Sequence, residues 1–210
     1  MSRWISPGST VIDIGANVGF MSVFFSEKVG PQGLVLAIEP DPVNLKLLEH
    51  NLARNGCDNV RVLPVAVGED DGETTLYRNL ANRADSRLVF DREALTRSKK
   101  IDVAMRTLSS LVAAAGELPE VSLVKVDSQG YEVPILRGMK DWIASLVKKP
   151  ALALECWSYG LRASGHSLDD LFVLLSEYGF EVPSELCDRL HLKTGMGDYE
   201  SVVFVPAQRR

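Results

Sequence analysis

The 210-residue chain predicts an α/β fold, a mostly parallel sheet with helices on both faces, and three observations predict it. Short apolar runs rich in Val, Ile and Leu alternate with stretches of helical periodicity, the pattern of strands covered on both sides. The first run, Val11-Ile12-Asp13-Ile14, opens directly into the glycine-bearing turn Gly15-Ala16-Asn17-Val18-Gly19-Phe20. Several later runs end in a carboxylate.

The elements follow in order. Gly15 lets the backbone turn with no Cβ in the way. Gly19 opens the apolar stretch Phe20 to Phe25, read as the first helix, so its N-terminal amides face the turn. Leu34 to Ile38 is a second buried strand and ends in Glu39, 24 residues after Gly15. Asp41-Pro42 supplies an N-cap and a first-position proline for a helix with Val43, Leu47, Leu48 and Leu52 on one side and a stop at Gly56. The third strand is read as Val60 to Val67, with Ala66 and Val67 beside an adenine if a nucleotide cofactor binds. Beyond the insertion come a strand at Ser122 to Asp127, a helix from Gly130 to about Met139, a strand at Ala151 to Glu155, and a helix capped by Ser167 and closed at Gly179. Phe180 to Val182 and Ser201 to Val205 complete the strands.

Between Gly68 and Leu108 the alternation breaks. A strand candidate, Thr74 to Tyr77, is followed by a polar stretch in which Arg78 to Arg106 carry eight basic residues against four acidic ones. A charge-rich connection of this kind reads first as a solvated surface loop. The sharper reading of the insertion, at about 69–106, is a lid over an anionic acceptor, with Arg83, Arg87 and Arg92 facing it.

Composition narrows the function. Length and 46% hydrophobic content suit one domain spanning 1–210 with a sizeable core. The formal charge of −5 lacks the basic footprint of a nucleic-acid binder, so no nucleic-acid partner is expected. Cys57, Cys156 and Cys187 are odd in number and widely spaced, which suits reduced thiols in a cytoplasmic protein. No apolar run has membrane-spanning length, and no membrane partner is expected.

The glycine turn points to a nucleotide-type cofactor, with Asp13, Gly15, Ala16, Asn17, Val18, Gly19, Glu39, Pro40, Ala66 and Val67 as candidate binding residues. A carboxylate at Glu39 suits the two hydroxyls of a ribose. The dinucleotide fingerprint G-x-G-x-x-G requires glycine where this chain has Asn17. Asp13, placed at the mouth of the loop, would repel a pyrophosphate and attract a cationic sulfonium, so S-adenosylmethionine fits better than NAD. By the carboxyl-end rule, Asp13, Glu39, Asp127 and Glu155 line one edge of the sheet. Lys125, two residues before Asp127 in a buried strand, needs an anion, either in a structural ion pair or to orient a base. Asp127 is the candidate base, with Glu155 and Glu132 next. Any two of these carboxylates also suit a divalent metal, and the sequence leaves metal use open. His50, His166 and His191 lack metal-ligand spacing, although His166 follows Glu155 closely enough to reach the site; Trp157 and Tyr159 suit either an acceptor wall or ordinary packing.

Together these residues resemble the FkbM family of S-adenosylmethionine-dependent methyltransferases. The resemblance runs over nearly the whole chain. It rests on Val11 to Phe20, on Ile38-Glu39-Pro40-Asp41, on Leu154-Glu155, and most specifically on Val124-Lys125-Val126-Asp127-Ser128-Gln129-Gly130-Tyr131-Glu132, similar to the pattern K-[IV]-D-x-[EQ]-G-x-E. Thr107-Leu108-Ser109 departs from the usual T-L-D. The resemblance implies a Rossmann-like class I fold with a seven-stranded sheet and an antiparallel last strand. It also implies methyl transfer to a hydroxyl of a small-molecule acceptor such as a sugar or secondary metabolite. Only ten residues precede the first strand, so a truncated domain, or one completed by an oligomer mate or partner chain, is expected. A cofactor-binding module without catalysis, acting through a partner, is the competing expectation.

Overall fold

The computed structural model describes residues 1–91 and 97–207; Arg92 and the side chain of Arg83 lie outside what is described. A short 3-10 turn at Ser2–Trp4 precedes β1 (Thr10–Ile14), α1 (Phe20–Val29), β2 (Leu34–Ile38), α2 (Pro42–Arg54), β3 (Val60–Leu63), β4 (Ala66–Val67) and β5 (Gly72–Asn79). After them come β6 (Ser98–Arg106), α3 (Leu108–Ala115), β7 (Val121–Val126), α4 (Glu132–Gly138), α5 (Lys140–Ser145), β8 (Ala151–Cys156), α6 (Ser158–Ala163), α7 (Leu168–Glu177), α8 (Ser184–His191) and β9 (Glu200–Phe204).

The main sheet runs β3-β2-β1-β7-β8-β9, parallel except for β9, which pairs antiparallel with β8. Strand order reverses between β1 and β7, and a crevice opens there at the carboxyl ends. Residue parity separates two cores, because successive strand residues face opposite sides. Ile12, Ile14, Leu36, Ile38, Val124 and Leu152 pack with Ile135, Met139, Leu171 and Leu175, while Val11, Val35 and Leu123 pack with Phe25 and Val29 of α1. Each such large side chain contributes roughly 1.5 to 3 kcal/mol by leaving water. The helix ends follow the sequence signals: Asp41 accepts from the Val43 amide at 2.7 Å, and Ser167 with Asp170 forms a capping box.

Two strand expectations change. Seven strands were expected in the sheet and six are found among the described residues: Phe180 makes only an isolated antiparallel bridge to Pro206, because Pro183 ends the extended run and the chain turns into α8. The run read as one strand from Val60 to Val67 is two. Pro64 has no N–H to continue the ladder, so β3 stays in the main sheet and Ala66–Val67 pairs in parallel with Met105–Arg106.

The insertion is not a loop throughout. β5 and β6 form a regular antiparallel hairpin, Gly72 opposite Met105 through Asn79 opposite Ser98, in a three-stranded sheet ordered β4-β6-β5. Arg78 stands on β5 and Lys99, Lys100 and Arg106 on β6, a pairing that a charge count does not detect. Among the described residues no helix is long and apolar enough to cross a membrane.

Candidate functional site

A cavity of about 440 Å³ lies over the carboxyl ends of β1, β2, β7 and β8, within the range of small-molecule sites. Gly15, Asn17, Glu39, Pro40, Ala66 and Val67 line one end; Asp127, Gln129, Glu155 and Trp157 line the other.

The turn after β1 sets the first end. Gly15 has φ +75°, and a Cβ there would fall on the Asp127 carbonyl, so the β1 and β7 turns touch only because this residue has no side chain. The amides of Gly15 and Ala16 both donate to the Ile38 carbonyl at 3.0 Å, which draws the turn against the end of β2. Glu39 stands there, buried, accepting from the Asn17 amide and the Asp41 amide, each at 2.9 Å. Burial raises its pKa, and these amides oppose the rise. Asn44 lies beside it, its Nδ2 3.4 Å from Glu39 Oε1 and its buried Oδ1 without a protein partner.

At the second end Asp127 follows β7 and Glu155 lies near the end of β8. The Gln129 side-chain amide spans them, donating to Asp127 Oδ1 at 2.9 Å and to Glu155 Oε2 at 3.2 Å. Burial, then the charges of Asp127 and Glu132, push Glu155 up to about 9, so it is protonated at neutral pH. Lys125 Nζ sits 3.0 Å from Asp13 Oδ1 and 3.7 Å from Asp127 Oδ2. Burial opposes its charge, yet Asp13 and Asp127 hold its pKa above the usual lysine value.

The hairpin closes the third side. Asn82, Asp85, Ser86 and Arg87 line the cavity from the segment that follows β5. Two arginines fasten it. Arg78 donates through Nε and Nη2 to Asp41, at 2.6 and 2.5 Å, while the buried Arg87 pairs with Asp85 at 2.6 Å and Asp91 at 2.8 Å. The Arg87 guanidinium also lies 4.7 Å from the Trp157 ring centroid, a cation–π contact just beyond Glu155.

Residues 13–182 match the Methyltransferase FkbM domain. The chain belongs to the FkbM methyltransferase family. It is 25% identical over 197 residues to Methyltransferase 1 of Beauveria bassiana, covering 86% of this chain and 75% of that protein. Methyltransferase sdnD of Sordaria araneosa is 27% identical over 199 residues, with 82% and 73% covered. The fold matches methyltransferase FkbM from Methylobacillus flagellatus at a TM-score of 0.56 and 20% identity, covering 94% of this chain but only 44% of that one. It also matches SMU.1697c of Streptococcus mutans, solved in complex with SAH, at a TM-score of 0.53 and 12% identity over 97% of this chain and 91% of that one. This is the Rossmann-like fold of S-adenosylmethionine-dependent methyltransferases.

Within this FkbM domain the expected site residues divide. Gly15, Asn17, Glu39, Pro40, Ala66, Val67, Asp127 and Glu155 share the cavity; Asp13, Ala16, Val18, Gly19 and Glu132 are not among its lining residues. Asp13 is a correction to the expected charge at the loop mouth. β1 continues one residue past it, so Asp13 lies fully buried beneath α1, bonded to Ser22 Oγ at 2.7 Å and paired with Lys125. Glu132 turns inward at the start of α4 and accepts from the Ser128 amide at 3.0 Å and Ser128 Oγ at 2.9 Å. Its expected place among the catalytic carboxylates is thus a buried clasp on the turn after β7. Ala16 is buried, Gly19 is the N-cap residue just before α1, and Val18 accepts at its carbonyl from Asn51 Nδ2 at 2.7 Å. Ser109, where the family usually has Asp, donates to the Gly138 carbonyl at 2.9 Å. His166 and Tyr159 are absent from the lining; Trp157 is present.

Several lining groups escaped sequence reasoning, Asn44, Asn82, Asp85, Ser86 and Tyr199 among them. Asp85 and Ser86 reach the cavity through the hairpin fold, and Tyr199 through the antiparallel return of β9. No local pattern marks them. Among the described residues no group of three or more His, Cys, Asp or Glu side chains is arranged to hold a metal ion. Of the three arginines expected to face an anionic acceptor, Arg87 is paired with Asp85 and Asp91, and Arg92 and the side chain of Arg83 lie outside the described residues.

Proposed function

We propose that this chain binds S-adenosylmethionine in the cavity and transfers its methyl group to a hydroxyl oxygen of a small-molecule acceptor. The arrangement carrying this reading is a single cavity with the Glu39 carboxylate at one end and the Asp127–Gln129–Glu155 group at the other. The residues fit the cofactor. Each Glu39 oxygen retains accepting capacity for ribose hydroxyls, and Ile38, Val65, Val67 and Ile135 offer an apolar slot for a flat base. The unpartnered Asn44 Oδ1 adds a buried acceptor on the same wall.

When bound, the cofactor supplies an electrophilic methyl whose bonding electrons leave with sulfur. The chain contributes alignment, which is worth roughly 7 to 11 kcal/mol in well-oriented systems. Asp127 receives the acceptor's hydroxyl proton as the new oxygen–carbon bond forms, adding about 10²-fold to 10⁴-fold. Neutral Glu155 donates to an acceptor oxygen, and the hairpin segment at Asn82–Arg87 excludes water from the pair.

Calorimetry with S-adenosylhomocysteine and with NAD tests the cofactor: binding is expected for the first alone, weakened at least about tenfold by Glu39→Ala through loss of a charged hydrogen-bond acceptor. Labelled methyl donor with a panel of polyhydroxylated acceptors tests the transfer. Asp127→Asn is expected to lower kcat about 10²-fold or more with S-adenosylhomocysteine affinity retained. Full turnover by that variant would remove Asp127 from the chemistry.

A further inference from the structure

Sheet order divides the cavity along its length. Gly15 and Glu39 follow β1 and β2, whereas Asp127 and Glu155 stand at the ends of β7 and β8, toward the β9 edge. Beyond those carboxyls the outer wall is apolar and comes from three distant stretches of chain: Leu88 after β5, Trp157 after β8, and Met196 and Tyr199 in the connection from α8 to β9. The antiparallel return brings the last two there. Glu155 pairs with Ser201 and Cys156 with Glu200, so Trp157 and Tyr199 are the next residues on the two strands' extensions, at one end of the sheet.

This wall is built rather than frayed. Trp157 is fixed by the Arg87 guanidinium 4.7 Å from its ring centroid, by the Tyr159 ring at 5.6 Å, and by Gly160, where a Cβ would fall 2.3 Å from Trp157 Cε3. Met196 sits in a closed turn: the Gly195 amide donates to Asp198 Oδ2 at 2.9 Å, the Asp198 amide donates to the Gly195 carbonyl at 3.1 Å, and Arg162 of α6 donates to the Thr194 carbonyl at 3.0 Å. Even so, Met196 is 44% and Tyr199 58% exposed. One exposed apolar side chain is ordinary, but two held on the same cavity wall gain when an apolar ligand covers them.

The polar groups of the hairpin are engaged within the hairpin. Asn82 Oδ1 accepts from the Ala84 amide at 3.2 Å, Ser86 Oγ accepts from the Asn79 amide at 3.4 Å, and Arg87, the one cation among the described lining residues, is held by Asp85 and Asp91. A free sugar would set several hydroxyls against the apolar wall without partners, and an anion would meet carboxyls with that cation already engaged.

We infer that the acceptor is a neutral compound whose hydroxyl stands on an apolar body, and that Met196 and Tyr199 select it by covering that body while the hydroxyl reaches Asp127. The inference rests on the methyl-transfer reading for the placing of an acceptor in this half of the cavity.

Calorimetry on the whole chain tests it, with 2-naphthol, a hydroxyl on a flat apolar body, and glucose as probes. Saturating S-adenosylhomocysteine is added first to fill the cofactor half. 2-Naphthol is expected to bind at least about tenfold more tightly than glucose, and the double variant Met196→Ser/Tyr199→Ser to lose about tenfold of that affinity, since apolar area is no longer covered. Both side chains are surface-exposed and outside the cofactor half, so the variant is expected to keep the native S-adenosylhomocysteine affinity. With labelled methyl donor and a hydroxylated aromatic acceptor, the variant is expected to raise KM more than it lowers kcat, the mark of a binding contact. Equal affinity for the two probes, no measurable 2-naphthol binding, or a double variant that binds 2-naphthol like the native chain would overturn the inference. Failure of S-adenosylhomocysteine to bind would instead strike the cofactor reading, and the dependence of 2-naphthol binding on Met196 and Tyr199 is then read in the free protein.

Discussion

Single side chains in this site are tuned by where burial leaves their charge. Glu155, raised from 4.5 to about 9, has a higher folded than unfolded value. Its contribution to stability is therefore fully present below about pH 4.5 and is lost as pH rises through about 9. Glu155→Gln, permanently neutral, is expected to flatten that loss, raising stability relative to the native chain by on the order of 1 kcal/mol at alkaline pH and little at acid pH. Urea unfolding at several pH values measures it, and parallel pH curves for the two proteins would exclude the shift. Lys125 works in the opposite sense. With Asp13 wholly enclosed beneath α1, Lys125→Met leaves a buried carboxylate without its counter-charge, only Ser22 Oγ still donating to it, and is expected to cost about 3 to 5 kcal/mol by the same measurement. Asp13 also shows what sequence can miss: its position at the end of an apolar run was readable, but one further strand residue turned it from the cavity to the helix side.

Elements acquire their roles here through attachment. The β5–β6 hairpin reaches the site because Arg78 grips Asp41, the N-cap of α2, and Arg87 lies over Trp157 after β8. These two fastenings stand on opposite sides of the cavity, next to Glu39 and Glu155 respectively. Arg78→Met is expected to release the hairpin from α2 and cost about 3 kcal/mol, because Asp41 is buried and loses its bidentate partner. Proteolysis of the 78–91 segment with S-adenosylhomocysteine affinity in parallel tests this: faster cleavage is expected in the variant, and unchanged protection would mean that the hairpin is held by other contacts. Burial works against the Asp41 charge, but the Arg78 hydrogen bond lowers its pKa overall, so this contribution is present at neutral pH and lost as pH falls through its depressed folded value. Sequence placed a strand at Thr74 to Tyr77 but not its partner β6, since antiparallel pairing depends on residues far along the chain.

At the scale of the molecule, ligand binding and folding are linked. S-adenosylhomocysteine at a hundred times its dissociation constant is expected to stabilise the fold by about 2.7 kcal/mol, roughly 5 to 11 °C in melting temperature for a chain of this size. Differential scanning calorimetry reads the shift, which is expected to shrink in Glu39→Ala. The sheet order explains why one cavity draws on so much of the chain: β1 and β7 are neighbours although more than a hundred residues separate them, and their turns meet where Gly15 abuts Asp127.

From the sequence alone follow the α/β alternation, the glycine turn, the carboxylate-ended strands and the block from Lys125 to Glu132, because each is local: strand periodicity, a missing Cβ and residue spacing all act within a few positions. Tertiary structure alone decided that Asp13 and Glu132 are enclosed, that Gln129 joins Asp127 to Glu155, that Pro64 divides one run between two sheets, and that a charged insertion becomes a fastened wall. Those outcomes depend on which distant backbone each side chain meets and on how much water remains around its charge.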